Sequence, residues 1–206
     1  MMNDFSYSLL RLIVVGDGDT DYLFLEKAVR DDPDLSALPI SVMRPEDVGL
    51  KRRVGGGHKT LLKEAGLVSI KAAQGFAEAV LVLVDNDGDE RFRFPHKKHC
   101  GNCRECEASD ALEKVEWGQP FRKGAAILFQ AVETLLLSAK QDVGFTPQLE
   151  ESLYSLPLKI KLYGRQIHDA AEMYDAFREV LENTDVNRIR ARSYPRMKKI
   201  LTEMMS

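Results

Sequence analysis

Along the first two thirds of the chain, short and mainly apolar segments alternate with longer segments whose apolar residues have helical spacing. Four short runs predict strands: 9–15, 39–43, 80–84 and 125–129. Helical spacing of apolar positions predicts four helices: 20–30, 60–73, 107–116 and 131–139. Strands that alternate with helices are typical of βαβ units and of a mostly parallel sheet. We therefore expect an α/β fold in which helices flank such a sheet.

The pattern changes after residue 140. Residues 145–164 contain two prolines and irregular apolar spacing, whereas 166–182 and 194–205 have helical periodicity. We therefore divide the chain into an α/β domain, 1–140, and a helical extension, 141–206, packed on the same domain. A polar, Cys/His-rich insert at about 88–106 interrupts the first part.

Composition indicates an ordinary globular protein, with 206 residues, 44% hydrophobic residues and a net charge of −3. No apolar stretch approaches the roughly 18 residues that a membrane span needs, so no membrane is expected as a partner. The three cysteines lie within seven residues, which is unlike a disulfide framework. We expect a cytoplasmic location.

Two acid clusters directly follow apolar runs. Asp17, Asp19 and Asp21 follow the first predicted strand, and a second set follows 79–84: Asp85, Asp87 and Asp89. Ligands of open α/β sheets bind beyond the carboxyl ends of the strands. Crowded carboxylates repel one another unless a cation lies between them, and Mg²⁺ prefers such oxygen ligands. The sequence therefore predicts a divalent-metal site for phosphate chemistry.

A further carboxylate, Glu133, lies inside the apolar segment 127–137. An acid in such surroundings is costly to bury unless it is paired or binds a metal. The alternative is an acid at the surface in the first turn of a helix, where the macrodipole favours it. The carboxylate chemistry favours a functional role.

Two segments resemble a known family. Residues 14–21, Val-Val-Gly-Asp-Gly-Asp-Thr-Asp, resemble the first TOPRIM motif, and residues 83–87, Leu-Val-Asp-Asn-Asp, resemble the second. The tail segments 161–164 and 193–196 are similar to those of small uncharacterised bacterial TOPRIM-like proteins. TOPRIM domains also occur in topoisomerases, primases and the OLD-family nucleases associated with ATPases.

The resemblance implies a TOPRIM-like sheet and a Mg²⁺- or Mn²⁺-dependent hydrolase that cleaves nucleic-acid phosphodiesters, DNA or RNA. Asp85 and Asp87 would hold the metal, and Asp17 and Asp21 would complete its ligands. Glu133 would be a further ligand or would orient water. The resemblance also implies work beside an ATPase in bacterial defence against mobile DNA.

Asp17 differs from the glutamate that the family usually has at this position. Its carboxylate would lie about 1.5 Å further back, and such a displacement can cost about a hundredfold in rate. This favours a second hypothesis, a non-catalytic module that binds metal, nucleotide or a partner. A third is a haloacid-dehalogenase-like phosphatase with Asp85 as nucleophile and Asp87 as acid/base.

Basic residues are the candidates for contacting nucleic-acid phosphates. They occur in two segments and are Lys51, Arg52, Arg53, Lys59, Arg188, Arg190, Arg192 and Arg196. The alternatives are a flexible surface loop for the first segment and a solvated helix face for the second.

The insert carries thiols and imidazoles at gaps that suit tetrahedral Zn²⁺. The candidate ligands are His96, His99, Cys100, Cys103 and Cys106. A structural zinc would fold a polar segment that has no core of its own. The alternative is a set of exposed loop thiols.

Overall fold

The computed structural model describes residues 9–16, 18–48, 71, 75–86, 100–118, 120–128, 131–142, 144–152 and 158–206. The helix predicted at 60–73 therefore lies outside the described residues, apart from residue 71. No helix in the described ranges has the length and apolar character needed to cross a membrane.

Four parallel strands form one sheet in the order β2-β1-β3-β4. Their bounds are β1 Leu10–Val15, β2 Ile40–Met43, β3 Ala79–Asp85 and β4 Arg122–Leu128. The prediction of an α/β fold with a parallel sheet flanked by helices is confirmed. All four predicted strands are present, and the three central apolar runs, in β1, β3 and β4, supply the buried part of the sheet, whereas the edge strand β2 is mostly half-buried.

Eight helices accompany the sheet in the described ranges. They are α1 Asp19–Asp31, α2 Pro33–Ser36, α3 Arg104–Lys114, α4 Val132–Ala139, α5 Pro147–Ser152, α6 Leu158–Tyr163, α7 Ala170–Glu182 and α8 Ser193–Met205. The described part of the chain also contains 3₁₀ turns at Pro45–Val48 and Val186–Arg188. The segment 145–164, which showed no clear periodicity, contains the short helices α5 and α6.

Successive side chains of the central strands point to opposite faces of the sheet, and a hydrophobic core covers each face. Leu12 and Leu81 belong to a core that includes residues of α1, α4, α7 and α8. Ile13 and Val80 belong to a second core, beneath Leu112 of α3. α3 therefore covers one face of the sheet, and most other helices cover the opposite face.

α8 runs antiparallel to β4. Arg122, at the start of β4, donates a hydrogen bond of 2.8 Å to the carbonyl of Met205 at the end of α8. Gly124 permits the close approach, since a Cβ there would lie 3.1 Å from Ile200 Cγ2. Arg196, in the first half of α8, contacts Glu105 beside Ile127. The first turn of α8 therefore lies near the carboxyl end of β4.

The C-terminal helices share the core of the sheet. Tyr194 and Lys198 of α8 each donate a hydrogen bond of 2.8 Å to Asp32, which is 2% exposed at the junction of α1 and α2. Burial and the Asp32 carboxylate raise the pKa of the Tyr194 phenol. These contacts connect α8 to the first helices of the chain.

Candidate metal centres at the carboxyl edge of the sheet

The strand order places the ends of β1, β3 and β4 side by side. β1 pairs with β2 on one side and with β3 on the other, so the chain reverses its direction of winding between β1 and β3. Val15 pairs with Val82, and Asp85 pairs with Leu128. Ligands of open α/β sheets bind beyond such a reversal point. We call the carboxyl ends of these three strands, together with the segments that follow them, the acid edge.

Asp21 lies in the first turn of α1, after β1, and is 2% exposed. Its Oδ2 accepts a hydrogen bond of 3.2 Å from the Gly18 backbone. Its side chain packs over Gly16, where a Cβ would lie 2.6 Å from Asp21 Cγ. Two glycines therefore hold this carboxylate in place, and the hydrogen bond also caps the helix.

Asp85 is the last residue of β3 and is half-buried. Arg104 of α3 donates a hydrogen bond of 2.8 Å to its carbonyl. Asn86 follows and is 2% exposed, with its backbone N–H donating to the Leu128 carbonyl at 2.9 Å. Asn86 Oδ1 accepts no hydrogen bond from the described residues. A buried amide oxygen of this kind is a suitable ligand for a hard cation.

Glu133 lies in the first turn of α4, after β4, and is 5% exposed. Glu133 therefore lies in the first turn of a helix, as the alternative to a functional role predicted, but it is buried and not at the surface. The Tyr163 phenol of α6 lies nearby. Burial raises the pKa of Tyr163, and the Glu133 carboxylate raises it further.

The described carboxylates do not form a complete metal site by themselves. In the described ranges, the only group of three or more possible His, Cys, Asp or Glu ligands within 4.8 Å of one another is a set of cysteines. Three acids of the predicted site lie outside the described residues: Asp17, Asp87 and Asp89. The acid site therefore stays a prediction.

Cys100, Cys103 and Cys106 are positioned to bind a metal ion, and we call them the cysteine cluster. Their sulfur atoms all lie within 4.8 Å of one another. Cys100 Sγ and Cys106 Sγ are 3.5 Å apart, and the Cys100 backbone N–H donates to Cys106 Sγ at 3.3 Å. Cys103 and Cys106 are buried, whereas Cys100 is exposed. His96 and His99 lie outside the described residues.

The protein surroundings give Cys100 and Cys103 different acidities. Hydrogen bonding, chiefly from the Asn102 backbone, lowers the pKa of Cys100 to about 6. Burial raises the pKa of Cys103 to about 12. Metal binding requires thiolates, so a metal ion must displace the proton of Cys103.

α3 begins earlier than the predicted range of 107–116. Its first residue is Arg104, and Cys103 is its N-cap. Cys103 and Cys106 pack against Ile127 of β4. The neighbours of these thiols in the sequence are polar, so the sequence does not indicate a helix there. The packing of Cys103 and Cys106 against Ile127, which accompanies the earlier start of α3, is visible only in the tertiary structure.

Glu105 of α3 is buried, being 4% exposed. It accepts a hydrogen bond of 2.9 Å from the Ile127 backbone N–H and forms an ion pair with Arg196 of α8. One carboxylate therefore joins α3, the end of β4 and α8. It also raises the pKa of the Arg196 guanidinium.

The described basic candidates make intramolecular contacts. Arg192 forms an ion pair of 2.7 Å with the buried Glu150, and Arg196 forms one with Glu105. Arg190 donates to the Ser138 and Lys140 carbonyls at the end of α4.

Arg188 contacts Asp185 at 3.3 Å. The other basic candidates lie outside the described residues: Lys51, Arg52, Arg53 and Lys59.

Three residues near the acid edge were not among the predicted site residues. Asn86 stands between the candidate ligands Asp85 and Asp87 in the sequence, and this position could have indicated that it belongs to the site. Tyr163 belongs to the tail segment 161–164, already noted for its resemblance to TOPRIM-like proteins. Nothing in the sequence connects Arg104 to Asp85, because their contact depends on how α3 packs on the sheet.

Comparison of the chain with protein-family models, with curated proteins and with solved structures finds no match.

Proposed function

We propose that the chain is a TOPRIM-like, Mg²⁺- or Mn²⁺-dependent protein that cleaves nucleic-acid phosphodiesters at the acid edge. One observation carries the proposal: carboxylates lie at or shortly after the carboxyl ends of three adjacent parallel strands, at the same edge of the sheet. Asp85 ends β3, and Asp21 and Glu133 lie buried in the first turns of the helices after β1 and β4. Carboxylates where the chain reverses its direction of winding favour a ligand-binding site over a set of solvated surface acids.

The donors at the acid edge fit a hard cation. They are carboxylate oxygens together with the buried amide oxygen of Asn86, and such oxygens are the ligands that Mg²⁺ and Mn²⁺ prefer. Asp17 and Asp87 would complete the ligands. When bound, the cation supplies charge neutralisation for the phosphoryl oxygens. Glu133, close to the Tyr163 phenol, would orient the attacking water.

The substrate and partner follow from the same resemblance. Nucleic acid, DNA or RNA, would be held by Lys51, Arg52, Arg53 and Lys59, with the exposed Arg188 adding charge. Arg192 and Arg196 are paired with buried carboxylates, so they contribute less to phosphate binding than their number suggests. An ATPase in bacterial defence against mobile DNA is the proposed partner.

The cysteine cluster is proposed to hold a structural Zn²⁺. A tetrahedral zinc with Zn–S bonds of about 2.3 Å separates its sulfur ligands by about 3.8 Å. The sulfur spacing here, 3.5 Å for one pair and within 4.8 Å for all three, fits a single ion. An iron–sulfur cluster is normally held by four cysteines, and the chain has three. His96 or His99 would be the fourth ligand.

A second candidate is a non-catalytic module that binds metal, nucleotide or a partner. Asp17 favours it, since this aspartate stands where the resembled family usually has glutamate. The basic residues that form ion pairs with buried carboxylates favour it as well.

Cleavage assays separate these candidates. We expect the full chain with Mn²⁺ to cleave plasmid DNA, single-stranded DNA or RNA, and Asp85→Ala to abolish cleavage. Asp175→Ala is the matched control, because Asp175 is an exposed acid of α7. Mn²⁺ binding without cleavage of any nucleic acid would support the non-catalytic module. Hydrolysis of small phosphate esters instead would support the dehalogenase-like phosphatase.

A further inference from the structure

The first turn of α3 connects the cysteine cluster to the end of β4. Cys103 and Cys106 pack against Ile127, one residue before the end of that strand. Glu105, between the two cysteines, accepts a hydrogen bond of 2.9 Å from the backbone N–H of the same Ile127. Three residues of this turn, Cys103, Glu105 and Cys106, therefore contact the same residue of β4.

The remaining side chain of this turn contacts β3. Arg104 donates a hydrogen bond of 2.8 Å to the carbonyl of Asp85. Asp85 is the last residue of β3, and it precedes the buried Asn86. Arg104 stands directly after one cysteine ligand and two residues before another. Any ion that fixes Cys103 and Cys106 therefore also fixes the backbone that carries Arg104.

We propose that a thiophilic metal ion on the cysteine cluster strengthens the binding of a hard divalent cation beside Asp85, with Arg104 as the positioning residue between the two sites. This rests on the proposed function, because it takes the acid edge as a cation site. The cysteine cluster acts as a support for the acid edge, and its occupancy controls how well Asp85 is placed.

The physical basis is restriction of the turn by the metal ion. Cys100 is exposed, and a shared ion would join it to the buried Cys103 and Cys106. Coordination of one ion by all three cysteines narrows the range of positions open to Arg104. Because Arg104 donates a hydrogen bond to the Asp85 carbonyl, it also narrows the range of positions open to Asp85. Groups that orient a metal ligand commonly change metal affinity about 10- to 100-fold when they are lost. By linkage, the hard cation strengthens zinc binding by the same factor.

The experiment uses the full chain, loaded with one zinc per molecule or depleted of zinc and desalted. Mn²⁺ affinity is measured for both forms from the electron paramagnetic resonance signal of unbound Mn²⁺. We expect about 10-fold weaker Mn²⁺ binding without zinc. Circular dichroism checks the fold of each sample, and metal analysis checks zinc content. Cys103→Ser should fail to retain zinc and should behave like the depleted form.

Arg104→Gln tests the connection without disturbing the cysteines, even if zinc depletion unfolds the chain. The variant should keep its zinc and bind Mn²⁺ about 10-fold more weakly. Lys114→Gln is the control, because Lys114 is exposed in the last turn of the same helix, and it should behave as the wild type.

The outcomes separate this inference from the proposed function. Equal Mn²⁺ affinity in the zinc-loaded wild type and Arg104→Gln would overturn the inference and leave the proposed function standing. No Mn²⁺ binding by the zinc-loaded wild type would overturn both. Failure of the wild-type chain to retain zinc, cobalt or cadmium on its thiols would overturn the inference by itself.

Discussion

The acid edge and the cysteine cluster lie beside the same end of the sheet but are built differently. The three cysteines are separated by two residues each, and one helix turn with the residues before it brings their sulfur atoms within 4.8 Å. The acid edge draws Asp85 from the end of one strand, and Asp21 and Glu133 from the helices that follow two others. The cysteine cluster is thus a local structure, whereas the acid edge exists only when the whole sheet is assembled.

This difference determines what each site tolerates. A local cluster depends on its own turn and on the surface beneath it, here Ile127. A site assembled across strands depends on every contact that fixes the ends of those strands, including Gly16 beneath Asp21 and Arg104 on Asp85. Mutations that affect one site should therefore leave the other in place, except in the turn that they share.

Glu105 belongs to that shared turn, and its removal should have the largest effect. Glu105→Ala removes the acceptor of the Ile127 N–H and the partner of Arg196. Because both donors are wholly or partly buried, we expect a loss of about 3 kcal/mol in the free energy of unfolding. Urea denaturation measures it. Glu113→Ala, on the same helix, breaks the ion pair between the exposed Glu113 and Lys123 and should cost less than about 1 kcal/mol. Equal losses would show that Glu105 does not join α3 to β4 and α8.

Gly16→Ala should affect the acid edge and spare the cysteine cluster. The new Cβ would lie 2.6 Å from Asp21 Cγ, so the buried Asp21 must move. We expect a loss of about 2 kcal/mol in unfolding free energy from this overpacking, weaker Mn²⁺ binding, and unchanged zinc content.

Gly18→Ala is the control for this change. Its Cβ would meet only Thr20 Oγ1, at 3.9 Å, and its backbone is extended. Stability should change by less than about 1 kcal/mol. Loss of zinc from Gly16→Ala in the absence of Mn²⁺ would show that the cysteine cluster depends on the packing of Asp21 and is not a local structure.

The smallest effect concerns the chemistry of the cysteine cluster without metal. Hydrogen bonding lowers the pKa of Cys100 to about 6 and burial raises the pKa of Cys103 to about 12, so of these two thiols Cys100 is the one that is largely thiolate at neutral pH. Alkylation of Cys100 by iodoacetamide should therefore rise as pH increases through about 6 and then level off, since the thiolate is the reactive form.

Peptide mass spectrometry of metal-free protein at pH 5, 6, 7 and 8 gives the labelling of each cysteine. Cys103, buried and protonated, should stay unlabelled over this range. Labelling of Cys100 that begins only near pH 8 would show that the local turn does not preorganise the cluster.

The sequence predicted the sheet well because each strand contains a short, mainly apolar run. The runs at 80–84 and 125–129 correspond to β3 and β4, which the structure extends to Ala79–Asp85 and Arg122–Leu128. The start of α3 was less accessible, since Cys103 and Cys106 have no apolar neighbours in sequence and find Ile127 only in the folded chain. Side-chain pairing of the tail arginines with Glu105 and Glu150 was equally hidden, because the partners lie 91 and 42 residues away.

By itself, the sequence determined the parallel α/β architecture and the proximity of the three thiols, since both follow from local patterns of apolar residues and from short spacing. The tertiary structure decided which acids become buried, which arginines are paired with buried carboxylates, and which residue reaches Asp85. These outcomes depend on contacts between distant segments. Their energy comes from burial and pairing that no short stretch of chain encodes.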